Sequence, residues 1–259
     1  MKHLLLIFLI FGSLAARAQV PSLVKRWSFN SACLMPAGKW ESGLLQPFRY
    51  GISKNLEVNT NALLLPVLPD AGIKLALGEK CGFRLAGEHS LSVPSVFLNF
   101  VSRKGIGGLI SPQFHFPFML ALNNSLLASK FLPDSILLTL KAGLAFTVRS
   151  GKADPLSTID LPVFYPRMAH YYKGLSFRFS SGIRGSICRK WNYEEAAQVF
   201  LITRAEHYFF AENTGNLMWS VGRSLRIKGG YNLSYGNYPF GKHWQLWPSL
   251  DLVFGSRVL

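Results

Sequence analysis

Six histidines, three cysteines and thirteen carboxylates are the residues of this 259-residue chain that could do chemistry. Glu88-His89-Ser90 sets a base beside a hydroxyl and an acid. Neighbours along a strand point to opposite faces, however, so His89 meets neither Glu88 nor Ser90 on its own strand. Nucleophilic catalysis needs its groups within hydrogen-bond reach. A serine on an adjacent strand is the route that stays open to hydrolysis; a structural or interfacial histidine is the plainer reading. His115, His170, His207 and His243 stand singly near loops or strand ends. Cys33, Cys81 and Cys188 show no CxxC spacing and no Cys/His cluster, so no metal site and no cofactor are expected. Their odd number allows at most one disulfide. Asp154 and Asp160 share one long loop, where such residues begin turns. Gly105-Ile106-Gly107-Gly108 lacks the strand-to-helix context of a phosphate loop.

The elements that would hold these residues follow from composition and patterning. With 49% hydrophobic and 16% charged residues the chain is too apolar for disorder, and three cysteines cannot staple a disulfide scaffold. At the N-terminus, Lys2 and His3 precede an apolar run from Leu4 to Phe11, and small residues lead to Ala16-Arg17-Ala18 before Gln19. That is the layout of a secretory signal peptide, residues 1–18, cleaved after an A-x-A site. Cleavage removes Lys2 and Arg17 and leaves residues 19–259 as one exported domain with 26 basic against 13 acidic residues. No cysteine at the cleavage point offers a lipid anchor.

Downstream, apolar residues recur with a period of two. Leu175, Phe177, Phe179, Ile183 and Ile187 oppose Ser176, Arg178, Ser180, Arg184 and Ser186; Leu225, Ile227, Tyr231 and Leu233 oppose Arg226, Lys228, Asn232 and Ser234. Similar alternation runs through 56–64, 83–93, 138–149 and 244–254. Alternation of this length predicts strands with one apolar and one polar face. Strands are expected near 22–34, 39–51, 54–65, 71–78, 81–93, 107–128, 136–149, 172–188, 196–210, 215–223, 225–236 and 244–255. An exported all-β chain with so much apolar strand surface satisfies its backbone by closing into a barrel that faces lipid. The expected fold is an antiparallel transmembrane β-barrel of about twelve strands (ten to fourteen), with short periplasmic turns and longer extracellular loops. Its connections support this: the two longest, Pro94–Ile106 and Ser150–Tyr171, fall on one parity and the briefest turns on the other. Trp40, Tyr50, Trp219, Tyr235, Trp244 and Trp247 lie near strand ends, as interfacial girdles would.

The unit Arg49-Tyr50-Gly51-Ile52-Ser53-Lys54-Asn55-Leu56-Glu57-Val58, together with Glu88-His89-Ser90 running into Pro94 and with Phe210-Ala211-Glu212-Asn213, resembles small outer-membrane β-barrel proteins of Bacteroidetes. The resemblance implies an outer-membrane barrel and brings no activity or catalytic residues with it.

If the apolar faces meet lipid, parity turns Arg26, Lys74, Arg84, Lys141, Arg178, Arg184, Arg204, Arg226 and Lys228 toward the lumen, against Glu57, Glu88, Glu206 and Asp251. Such a basic lining suits a narrow passive channel, porin-like, for small solutes with a bias to anions. The alternative is a closed structural or partner-binding barrel, its charges paired and its loops serving as plug or docking surface for a surface lipoprotein or another barrel. A barrel lipid hydrolase is the third reading. The expected surroundings are outer-membrane lipid, including lipopolysaccharide. Nucleic acid is not expected: the phosphates of lipid are the anions an exported basic barrel meets.

Overall fold

The computed structural model describes residues 30–104, 109–133, 136–154, 156–172, 174–188, 190–203, 209–222, 224–238 and 241–256. They form a closed antiparallel barrel of twelve strands, each paired with its sequence neighbours and the last with the first. The strands are β1 (Trp40–Gly43), β2 (Phe48–Gly51), β3 (Leu56–Thr60), β4 (Asp70–Lys80), β5 (Phe83–Ser92), β6 (Met119–Phe131), β7 (Leu137–Arg149), β8 (Ser176–Cys188), β9 (Trp191–Ile202), β10 (Phe209–Val221), β11 (Leu225–Tyr238) and β12 (Gly241–Gly255). Two short helices, α1 (Pro94–Val101) and α2 (Tyr165–Tyr172), lie in the two longest connections.

The number twelve agrees with the periodicity for a partly accidental reason. The expected strand 22–34 is not one where it is described, since residues 30–36 carry no strand. Instead 39–51 breaks into the hairpin β1–β2, so one strand lost is offset by one strand split. Gln46 and Pro47 end the alternation and form the turn between the two. The expected strand 54–65 stops at Thr60, because Asn61–Leu68 closes helical turns through Leu64 N–H and Leu65 N–H donating to Asn61 O. Farther along, 107–128 shifts to 119–131, past Pro112 and Pro117, whose lost donors bar them from an inner ladder. The pair 196–210 and 215–223 becomes 191–202 and 209–221.

Register sets the shape. From His243 on β12 the pairing descends through Phe210, Arg178, Glu88 and Glu57 to Gly51 at the foot of β2. Carried through β1, it meets β12 about 14 residues below its start, which tilts the strands by about 40° in a barrel of radius about 12 Å. The connections 52–55, 81–82, 132–136, 189–190 and 222–224 are all short and share one end with the start of β1 and the close of β12. At the other end lie 61–69, 93–118 and 150–175.

Apolar side chains such as Leu126, Leu140, Phe179, Leu217 and Leu246 stand exposed on the outside, while inward residues such as Leu127, Phe200 and Met218 are buried. Two aromatic sets mark the wall: Trp191 stacks on Trp219 at 6.1 Å near the short-turn end, and Tyr235 meets Trp244 at 4.8 Å near the other. Register and tilt set them roughly 25 Å apart, the height of a membrane barrel's apolar band. Polar exceptions on the outer face are paired locally: His89 Nδ1 lies 2.7 Å from Asn124 Oδ1, and Tyr231 donates to Asn213 at 2.8 Å beside Glu195.

Candidate functional site: the barrel interior

Both ends of the interior are filled. At the long-loop end α1 and α2 pack into a small core of Leu98, Val101, Ile110, Phe116, Met119, Ile159 and Met168. The apolar residues of Pro94–Val101 and Ile159–Tyr165 partly cover one another, although Val96, Phe100 and Phe164 stay exposed. This plug is fastened to the wall. Tyr165 packs on Phe210 and Tyr238, and Arg167 makes a two-pronged ion pair with Glu212 at 2.6 and 2.7 Å. Arg149 donates to the carbonyls of Tyr171 and Tyr172 at the end of α2. Burial, aided by the charge of Arg178, pushes His170 down to about 3, and neither ring nitrogen has a hydrogen-bond partner. The same burial raises Tyr171 to about 12, so α2 enters the interior without an ionised side chain of its own at neutral pH except Arg167.

At the foot, residues 31–35 run inside the wall. Ala32 N–H donates to Ser129 Oγ, Met35 N–H to Glu57 Oε2 and Lys74 Nζ to Ser31 O. Cys33 is buried against Leu137, with Phe131 beside it. All three cysteines are free thiols, Cys81 and Cys188 exposed.

Between plug and foot lies a cavity of about 290 Å³, lined among others by Asn30, Lys141, Arg167, Arg178, Arg184, Glu194 and Glu212. Arg167 and Arg178 both lie over the Phe200 ring, at 5.1 and 5.3 Å from its centre. Arg178 Nε and one terminal nitrogen of Arg184 have no hydrogen-bond partner. Two guanidiniums thus meet at one ring, Arg167 paired with Glu212 and Arg178 with a donor to spare, which suits this stretch of the cavity to an anion.

The residues singled out by parity separate into distinct settings. Lys141 reaches Glu88 at 2.5 Å, and Arg184 and Lys228 share Glu194 at 2.7 and 3.3 Å. Lys74 is wholly buried at the end of a ladder in which Glu41, Arg49 and Glu57 alternate in sign across β1 to β3. Arg226 is buried near the foot of β11. Arg84 lies at the rim, half exposed and paired with Glu79. Asp251 is an anchor: its carboxylate accepts the backbone N–H groups of Leu44, Leu45 and Gln46. Arg26, Arg204 and Glu206 fall outside the described residues, as do the proposed signal peptide and His207.

Sequence reasoning missed Glu41, Arg49, Arg167, Glu194 and Glu212. Their signal was present as alternation. Glu194 and Glu212 were lost because strands β9 and β10 begin earlier than expected, and Glu41 and Arg49 because one long strand was read where a hairpin stands. Arg167 comes from a loop helix, which strand parity does not address. With these carboxylates included, the described charges of the interior are mostly paired. His89 faces Asn124, and Asp154 and Asp160 close local turns with Leu156 N–H and the Thr158 hydroxyl.

No family model matches the chain, and no curated protein matches it. Among solved structures it is similar to the outer membrane channel DcaP of Acinetobacter baumannii, at 8% identity and a TM-score of 0.40 over 82% of this chain and 62% of that one. A bacterial polysaccharide outer membrane secretin matches at 10% identity and a TM-score of 0.45, over 84% of this chain and 70% of that one. The chain therefore spans less than two thirds of the length of DcaP.

Proposed function

We propose that this chain is an outer-membrane β-barrel, exported by a cleaved signal peptide, that holds small anionic solutes in a chamber closed at rest. Lipid, including lipopolysaccharide, surrounds its apolar wall. The observation that carries the reading is the pair Arg167 and Arg178 over Phe200, with Glu212 bound to Arg167 and Arg178 Nε left without a hydrogen-bond partner. Arg167 has two tasks in this scheme: it helps form the anion site and, through Glu212, it latches the plug. An entering anion competes with Glu212 for Arg167, so occupancy and unlatching are coupled. Passage is then narrow and gated, not free-running.

Planar bilayer recording tests this. The native barrel is expected to be mostly closed with brief anion-selective openings, and Arg167→Ala to stay open far longer. Silence of both proteins at every voltage would overturn passage. It would leave the second reading, a closed structural or partner-binding barrel, which the occupied ends and the paired interior charges favour.

A further inference from the structure

The wall is not of even height. β12 is a fifteen-residue strand, but its pairing with β1 covers only Val253–Gly255, extended by Leu44 N–H donating to Leu252 O. Asp251 draws the hairpin tip closed at that level, and β1 to β3 end there. Above it, about ten residues of β12, roughly 25 Å of wall height, have no strand on their β1 side among the described residues. The notch lies on the long-loop side.

Its chemistry is mixed by design of the strand. Residues two apart direct their backbone groups to the same side. Leu252 points toward β1, so Trp244, Leu246, Pro248 and Leu250 point their backbones into the notch. Pro248 has no N–H there, so it costs the ladder nothing and removes the central donor that an added strand would need. The side chains outside are the most bared of the wall: Trp244, Leu246 and Leu250 are 65%, 67% and 66% exposed. Across the gap, Leu44 and Leu45 of the hairpin tip are exposed as well. Trp247, on the opposite face of β12 and therefore directed inward, is still 40% exposed at the height of the notch.

We infer that this notch is a lateral portal that admits the acyl chain of an anionic amphiphile from the surrounding lipid to the barrel interior. The chain lies along Leu250, Leu246 and the Leu44-Leu45 tip. Its head group enters past Trp247 toward the cationic interior, while water satisfies the edge amides. This deepens the anion-binding reading above and rests on it for the membrane setting.

The test uses the full chain in nonionic detergent, with dibromostearate as quencher of tryptophan fluorescence. Saturable quenching is expected, reversed by excess stearate, with most of the saturable amplitude lost in Trp247→Phe and kept in Trp244→Phe. Quenching that is only linear in concentration, or an undiminished saturable amplitude in Trp247→Phe, overturns the portal. Equal saturable quenching by a brominated alkyl maltoside overturns the anionic head group. A crosslinked dimer joined through β12 would make the notch an interface between copies and overturn the portal too. The same preparation is run on a gel with and without boiling. Loss of heat-modifiable migration sinks the barrel reading and the portal with it, whereas retained migration without quenching sinks the portal alone.

Discussion

Single residues set conditions that the wall has to obey. Cys81 sits at φ 53° beside Gly82 at φ 75°, which makes 81–82 a two-residue turn with both central residues in the left-handed region. A non-glycine residue there is strained, so Cys81→Gly is expected to stabilise the barrel by about 1 kcal/mol, read as a higher urea midpoint for loss of the compact gel band. His170 carries a pH prediction. Its folded value lies below its ordinary one, so opening of the plug takes up a proton. Plug stability is therefore fully present above the ordinary histidine value, 6.5, and is lost progressively as pH falls toward about 3. Protease cleavage within 150–172 should accelerate over that interval in the native chain and stay flat in His170→Leu. An identical slope in the variant would assign the effect elsewhere.

At the scale of elements, the hairpin β1–β2 depends on one side chain from the far end of the chain. Asp251 accepts three backbone N–H groups of the tip, and a Cβ on Gly43 would come within 2.6 Å of its Oδ2. Asp251→Ala should cost about 3 kcal/mol by leaving those donors without an acceptor, and urea titration of the compact band would show it. Glu57 plays the corresponding part for the foot, between Arg49 and Lys74 and beneath Met35 N–H. Glu57→Gln leaves buried cations under-compensated and is expected to cost about 4 kcal/mol on the same measure. Trypsin should then cut more readily at Lys39, between the foot segment and β1. Equal stability of either variant and the native protein would mean that these contacts are made and lost without consequence.

The whole molecule couples an apolar exterior to a charged, largely self-paired interior, with a plug at one mouth, a chain segment at the other and a notch in the side. Fractionation should recover the protein in the outer membrane, migrating as a compact band until boiled, with Gln19 as the mature N-terminus by mass. A soluble periplasmic protein without a mobility shift would turn the exterior into a buried core. Maleimide labelling of the folded barrel should reach Cys81 and Cys188 and spare Cys33 until unfolding, since only Cys33 lies under the wall.

Period-two alternation along Leu175–Cys188 and Leu225–Tyr235 was enough by itself to identify strands and their inner and outer faces. Each of these depends on local geometry, because a strand's side chains alternate whatever they later touch. The hairpin at 44–47, the foot segment at 31–35, the Arg167–Glu212 latch and the notch beside Pro248 were decided only by tertiary structure. They join residues as far apart as Leu44 and Asp251 or Ala32 and Ser129. Such pairings depend on register and closure around the whole ring, and no local periodicity records them.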